Sequence, residues 1–114
     1  MKRIVIKEIV NSSNWIQVAD GVKVYEEIVP ALKNGDEVTL SFSGRTFVIT
    51  AFLNAAIGKL YNGQFAETDL ARLTYSDTEP ADEDKIRRVV ENAKIYYSNN
   101  PLYRDELFRQ EVES

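Results

Sequence analysis

Apolar and polar residues alternate with a period of two in several short stretches, and each predicts a strand. Val38, Leu40 and Phe42 alternate with Thr39, Ser41 and Ser43; the strand ends at Ser43-Gly44, where glycine accepts the positive φ that a turn often needs. Near the N-terminus Ile4 and Ile6 alternate with Val5, Lys7 and Ile9, which predicts a first strand over 2–10. After the turn cluster Asn11-Ser12-Ser13-Asn14, the segment Trp15–Val18 reads as a short strand returning antiparallel to the first. Leu70–Tyr75 reads as a further strand.

Helical spacing fills the intervals. Asp20-Gly21 opens a helix with Val22, Tyr25, Ile28, Val29 and Leu32 on one face, and Asn34-Gly35 closes it. Phe52, Leu53, Ala56, Ile57, Leu60 and Tyr61 form the stripe of a second helix that ends at Asn62-Gly63, and Thr50 stands where an N-cap hydroxyl belongs. A third helix begins at Asp82-Glu83-Asp84 and buries Ile86, Val89, Val90, Ala93 and Tyr97. Ser98-Asn99-Asn100-Pro101 breaks the chain, and Leu102–Val112 reads as a short final helix with Leu107 and Phe108 inward. This order predicts an α/β fold: a small, mostly parallel sheet of three to four strands with an N-terminal antiparallel edge, helices packed on it and right-handed crossovers. Residues 1–98 form the domain, and 99–114 form a helical extension that docks on it or offers a dimer or partner contact.

Composition narrows the chemistry. The chain has 114 residues, 44% apolar and 28% charged, which suits one globular domain. It contains no Cys and no His. A disulfide, a thiolate nucleophile, a zinc–sulfur site and the usual general base near neutral pH are therefore excluded. The expectation is a protein that is not an enzyme and carries no cofactor. A net charge of −4 without a basic stripe argues against nucleic-acid binding. No apolar run is long enough to span a membrane, and MKRIVIKEIV lacks the features of a secretory signal, so a cytoplasmic location is expected.

Three charged motifs invite a chemical reading and receive a simpler one. Glu26-Glu27 points in two directions on a helix and reads as a solvated face. Gly58-Lys59 lacks the upstream glycine and following hydroxyl of a phosphate loop. Asp82-Glu83-Asp84 lacks calcium-loop spacing, and acids in a first turn complement the helix dipole. The stretch that organises the chain is therefore Val38–Tyr61, whose loop from Ser43 to Thr50 joins the C-terminal end of a strand to the start of a helix. Open α/β sheets engage ligands and partners at such ends.

The segments VTLSFSG (38–44), TAFLNAAIGKLY (50–61) and RRVVENAKIYY (87–97), with Asp20-Gly21 ahead of the first helix, resemble the STAS domain of sulfate transporters and anti-sigma-factor antagonists. The nearest likeness is to small prokaryotic and phage STAS-like proteins. In the antagonist branch an acid–apolar–Ser–Gly pattern ends the strand, and a partner kinase phosphorylates a serine at the helix start. Here Ser43-Gly44 matches the Ser-Gly, Ser41 stands in the acid's place, Thr50 falls one place before the phosphorylated position and Ala51 occupies it. The resemblance implies a regulatory interaction module that meets a histidine-kinase-like ATPase or another signalling protein through residues 43–61. Ser43, Gly44, Thr50, Phe52 and Asn54 are its candidate contact or regulatory residues. Two other readings compete: a small-molecule or nucleotide site at the helix start by Thr50, and an oligomeric structural protein, a homodimer through its C-terminal helix.

Overall fold

A computed structural model describes residues 1–98 of the chain. The elements are β1 (Lys2–Val5), α1 (Ile6–Val10), β2 (Asn14–Trp15), α2 (Val18–Lys33), β3 (Val38–Ser41), β4 (Phe47–Val48), α3 (Thr50–Ala56), α4 (Glu67–Leu70), β5 (Leu73–Ser76) and α5 (Pro80–Ser98), with a 3-10 turn at Gly58–Tyr61. β1, β3 and β5 form a three-stranded sheet in the order β1-β3-β5, and both pairings are parallel. β2 and β4 pair in a second parallel ribbon. The α/β class and the small parallel sheet match the sequence expectation; the antiparallel N-terminal edge does not.

The reason lies in three buried residues. Ile6 and Val10 are both buried, and their spacing of four suits a helix, so the chain leaves the sheet after Val5. Asn11, at φ 59, ends that helix in the left-handed conformation. Trp15 is fully buried between Phe42, edge-on at 5.3 Å, and Phe52, stacked at 5.8 Å. Burying that indole sets the strand beside β4 instead of β1.

The register gives the main sheet two unlike faces. Ile4, Leu40 and Tyr75 align on one side with Val38 and Leu73, and these residues join the core. Arg3, Thr39 and Thr74 align on the other, followed by Val5, Ser41 and Ser76. Helix α2 packs on the apolar side and buries Gly21, Val24, Ile28, Ala31 and Leu32, a stripe turned slightly from the expected one. Gly21 sets that rotation: a Cβ there would lie 2.5 Å from the Phe52 carbonyl oxygen and 2.9 Å from Ala55 Cβ. Only glycine lets α2 and α3 approach so closely.

Other boundaries shift for local reasons. The expected second helix ends at Ala56 and tightens into the 3-10 turn, where Leu60 N–H donates to Ile57 C=O at 3.0 Å. The expected strand from Leu70 begins at Leu73, because α4 precedes it and the Asp69 carboxylate accepts from Ala66 N–H at 3.0 Å. Of the five residues expected on the buried stripe of α5, Ile86, Val89 and Ala93 are buried and Val90 and Tyr97 are half-buried. The final helix expected at 102–112, and any dimer contact through it, lie outside the described residues. Among the described residues no helix is long and apolar enough to cross a membrane.

Candidate partner-binding surface

The junction after β3 starts with a tight turn. Arg45 N–H donates to Phe42 C=O at 3.2 Å, and Gly44 takes φ 77. Any larger residue at 44 would also meet Lys7, whose Cδ lies 2.7 Å from an added Cβ. Ser43 is exposed, and its N–H donates to Ser41 Oγ at 3.2 Å. Ser41 itself is fully buried. Its hydroxyl donates to Asp77 Oδ2 at 2.7 Å and accepts from Arg3 Nη2 at 3.3 Å. The hydroxyl of Ser41 above all, then Ser76 and the Arg3 guanidinium, hold the Asp77 carboxyl below the usual carboxylate range. A carboxylate thus reaches the strand end from β5, although position 41 is a serine.

What was expected to be a plain loop from Ser43 to Thr50 contains β4. Thr46 N–H and Phe47 N–H both donate to Ser13 C=O, at 2.8 and 3.2 Å, and Ile49 N–H donates to Trp15 C=O at 3.2 Å. Val48 and Trp15 point into the core, so alternation turns Phe47 outward. Phe47 is 53% exposed, and Ile16 and Val18, just after β2, are 47% and 54% exposed. Extending the parallel register by one residue sets Ile16 beside Ile49, immediately ahead of Thr50. Ile16 therefore reaches solvent next to the start of α3, with Phe47 on the same side of the ribbon and Val18 exposed at the first residue of α2. Sequence reasoning missed them; the signal was the alternation Phe47-Val48-Ile49 around one buried valine.

The junction is clamped from behind. Arg45 is 15% exposed on its side chain, and its Nε lies 2.7 Å from Asp82 Oδ1. The N–H is off the line to that oxygen, so the contact is an ion pair and not an aligned hydrogen bond. Nη2 pairs with Glu79, and Nη1 donates to Thr46 C=O at 3.2 Å. Lys85 Nζ donates to Val48 C=O at 2.9 Å and stands 6.0 Å from the Phe47 ring centroid. The three acids at 82–84 do not converge. Asp82 also accepts from Glu79 N–H at 2.9 Å, Glu83 accepts from the Thr78 hydroxyl at 2.9 Å, and Asp84 pairs with Arg87 and Arg88.

The expected site residues divide. Ser43, Gly44, Thr50 and Asn54 are exposed around the junction, with Thr50 and Asn54 one turn apart on α3. Phe52 is not a surface contact: it is fully buried against Trp15. Thr50 is not an N-cap: Ile49 holds that position with no side-chain cap, and Thr50 is the first helical residue. Ala51, in the place of the phosphorylated serine, is exposed.

The model of a STAS-like domain of unknown function matches residues 20–83, which span α2, the β3–α3 junction, β5 and the start of α5. The chain belongs to this STAS-like family. No curated protein and no solved structure matches it. The matched region of this STAS-like domain includes the apolar residue Phe47, the clamp residues Arg45 and Asp82, and Ser41 with Asp77.

Proposed function

We propose that this STAS-like domain is a non-enzymatic regulatory module that binds a signalling protein through the β2–β4 ribbon and the start of α3. The observation that carries the reading is that Ile16 and Phe47, on the outer side of the ribbon, and Val18, at the first residue of α2, are open to solvent, with Ile16 in register beside the residue before Thr50. An apolar patch on an ordered, clamped backbone costs little to present to a partner, because the surface need not be ordered on binding. The partner class that fits the family resemblance is a histidine-kinase-like ATPase of a bacterial or phage-borne signalling pathway. Thr50 is exposed and free of any capping duty, so its hydroxyl is open to a kinase. A phosphate there would add nearly two negative charges near Ile16 and release the partner. The absence of Cys and His supports a binding role over a catalytic one.

The test is capture from native cells by the tagged full chain, with the retained proteins identified by mass spectrometry. An ATPase of that class should be retained by the parent chain, and lost with Phe47→Asp or with Thr50→Asp combined with Asn54→Arg. Retention of every partner by all the variants would remove the proposal.

A further inference from the structure

The two edges of the main sheet are built differently. β1 carries Lys2 and Arg3, exposed charges of the kind that keep an edge from pairing with another chain. β5 is Leu73-Thr74-Tyr75-Ser76 and carries none. Val38 N–H and Phe42 N–H donate to the carbonyls of Arg72 and Ser76, at 2.9 and 3.0 Å. In a parallel ladder that phase turns the backbone groups of Thr74 and Ser76 toward β3 and those of Leu73 and Tyr75 outward. Among the described residues, none takes the outward N–H or C=O of Leu73 or Tyr75. Beyond this edge lies a groove of about 380 Å³ between β5 and the first turns of α5. Leu73 and Ile86, 8% and 6% exposed, form its floor, and the exposed Glu83 and Arg87 form its rim.

We propose that this groove takes an extended segment of a partner polypeptide, which adds to β5 as a fourth strand. The main chain of such a segment meets the donors and acceptors of Leu73 and Tyr75, which recur every second residue as a strand requires. Alternate side chains of the guest then fall on the apolar floor and on the polar face beside Thr74. Glu83 and Arg87 stand one turn apart on the rim, so the fitting segment carries a basic residue at the Glu83 end and an acidic one at the Arg87 end. Among the described residues Arg87 is held by an exposed pair with Asp84, and Glu83 accepts from the Thr78 hydroxyl, contacts of the kind that exchange readily. A second copy's β5 is flanked by Arg72 and Asp77, but Arg72 is already held by Leu32 C=O, Asp36 C=O and Asp69, and Asp77 by Arg3 and Ser41, and the copy brings its own α5 into the space. This edge is separate from the β2–β4 ribbon, and neither proposal depends on the other.

Short random peptides displayed on phage and selected against the full chain supply the probe, and the strongest binder is then synthesised. Its addition should slow amide exchange at Leu73 and Tyr75 about tenfold or more. The double exchange Glu83→Lys with Arg87→Glu, at two exposed helix positions, should weaken binding by about tenfold, and Phe47→Asp should leave it unchanged. The proposal is overturned if selection yields no binder, or if the peptide leaves both amides exchanging at their free rates. Equal binding to the charge-exchanged chain would also overturn it. So would protection of those amides that rises with protein concentration before any peptide is added, since a second copy would then hold the edge.

Discussion

The two faces of the three-stranded sheet do opposite work. On one, Ile4, Val38, Leu40 and Leu73 are nearly or fully buried under the helices. On the other, Arg3 and Thr74 are exposed, Val5, Thr39 and Ser76 are half-buried, and the Thr39 and Thr74 hydroxyls meet at 3.3 Å. Parallel sheets are ordinarily covered on both sides. Here the second side is made tolerable by polar side chains and by the Arg3–Asp77–Ser41 network, which ties β1 to the end of β3 and to the residue after β5. Stability resides on one face, and the other is left to hold strand ends in register.

This contrast can be broken most decisively on the apolar side. Leu40→Ala should cost about 2–5 kcal/mol, because the removed atoms leave a cavity under α2. Urea unfolding would measure it, and a loss no greater than that of Thr39→Ala on the opposite face would refute the division. Gly21→Ala should cost about 1–3 kcal/mol, since the added methyl meets the backbone oxygen of Phe52 and not a movable side chain. Calorimetry that found this substitution neutral would show that α2 and α3 can separate freely.

Effects on the polar face should be smaller. The Asp77 carboxyl is held below its ordinary pKa, so its stabilising effect is full above the ordinary carboxylate range and is lost as pH falls through the depressed value. Asp77→Asn should lower stability at neutral pH by less than Gly21→Ala does and flatten the acid limb of the stability–pH curve. An unchanged acid limb in chemical denaturation would sink the claim that this network is charged. Thr74→Val should lie within about 0.5 kcal/mol of the parent chain. A larger loss in thermal melts would mean that the hydroxyl pair carries more than register.

Periodicity made the β3 strand, α2 and α5 legible, because each buries one stripe through local spacing alone. The N-terminal segment misled, since Ile4-Val5-Ile6 alternates like a strand while Ile6, Ile9 and Val10 also fit a helix. Only the burial of Trp15 between Phe42 and Phe52, contacts remote in sequence, decides where β2 pairs. The junction was placed correctly as a strand end beside a helix start. Its chemistry was not, because Asp77 and Asp82 reach Ser41 and Arg45 from far along the chain. Phe52 shows the same limit from the other side: a helical stripe names apolar residues without saying how wide the buried arc will be.

The Arg45 and Lys85 contacts also set an order of assembly. The Arg45–Glu79 and Lys85–Val48 contacts span 34 and 37 residues, so these clamps close only when the first turns of α5 are in place, after the Trp15 packing that pairs β2 with β4. Closing such spans is slow compared with forming local turns. A chain still emerging from the ribosome, or cut before Lys85, would contain Ile16, Val18 and Phe47 without the Lys85 clamp. A partner that needed the clamped ribbon would therefore tell finished copies from unfinished ones.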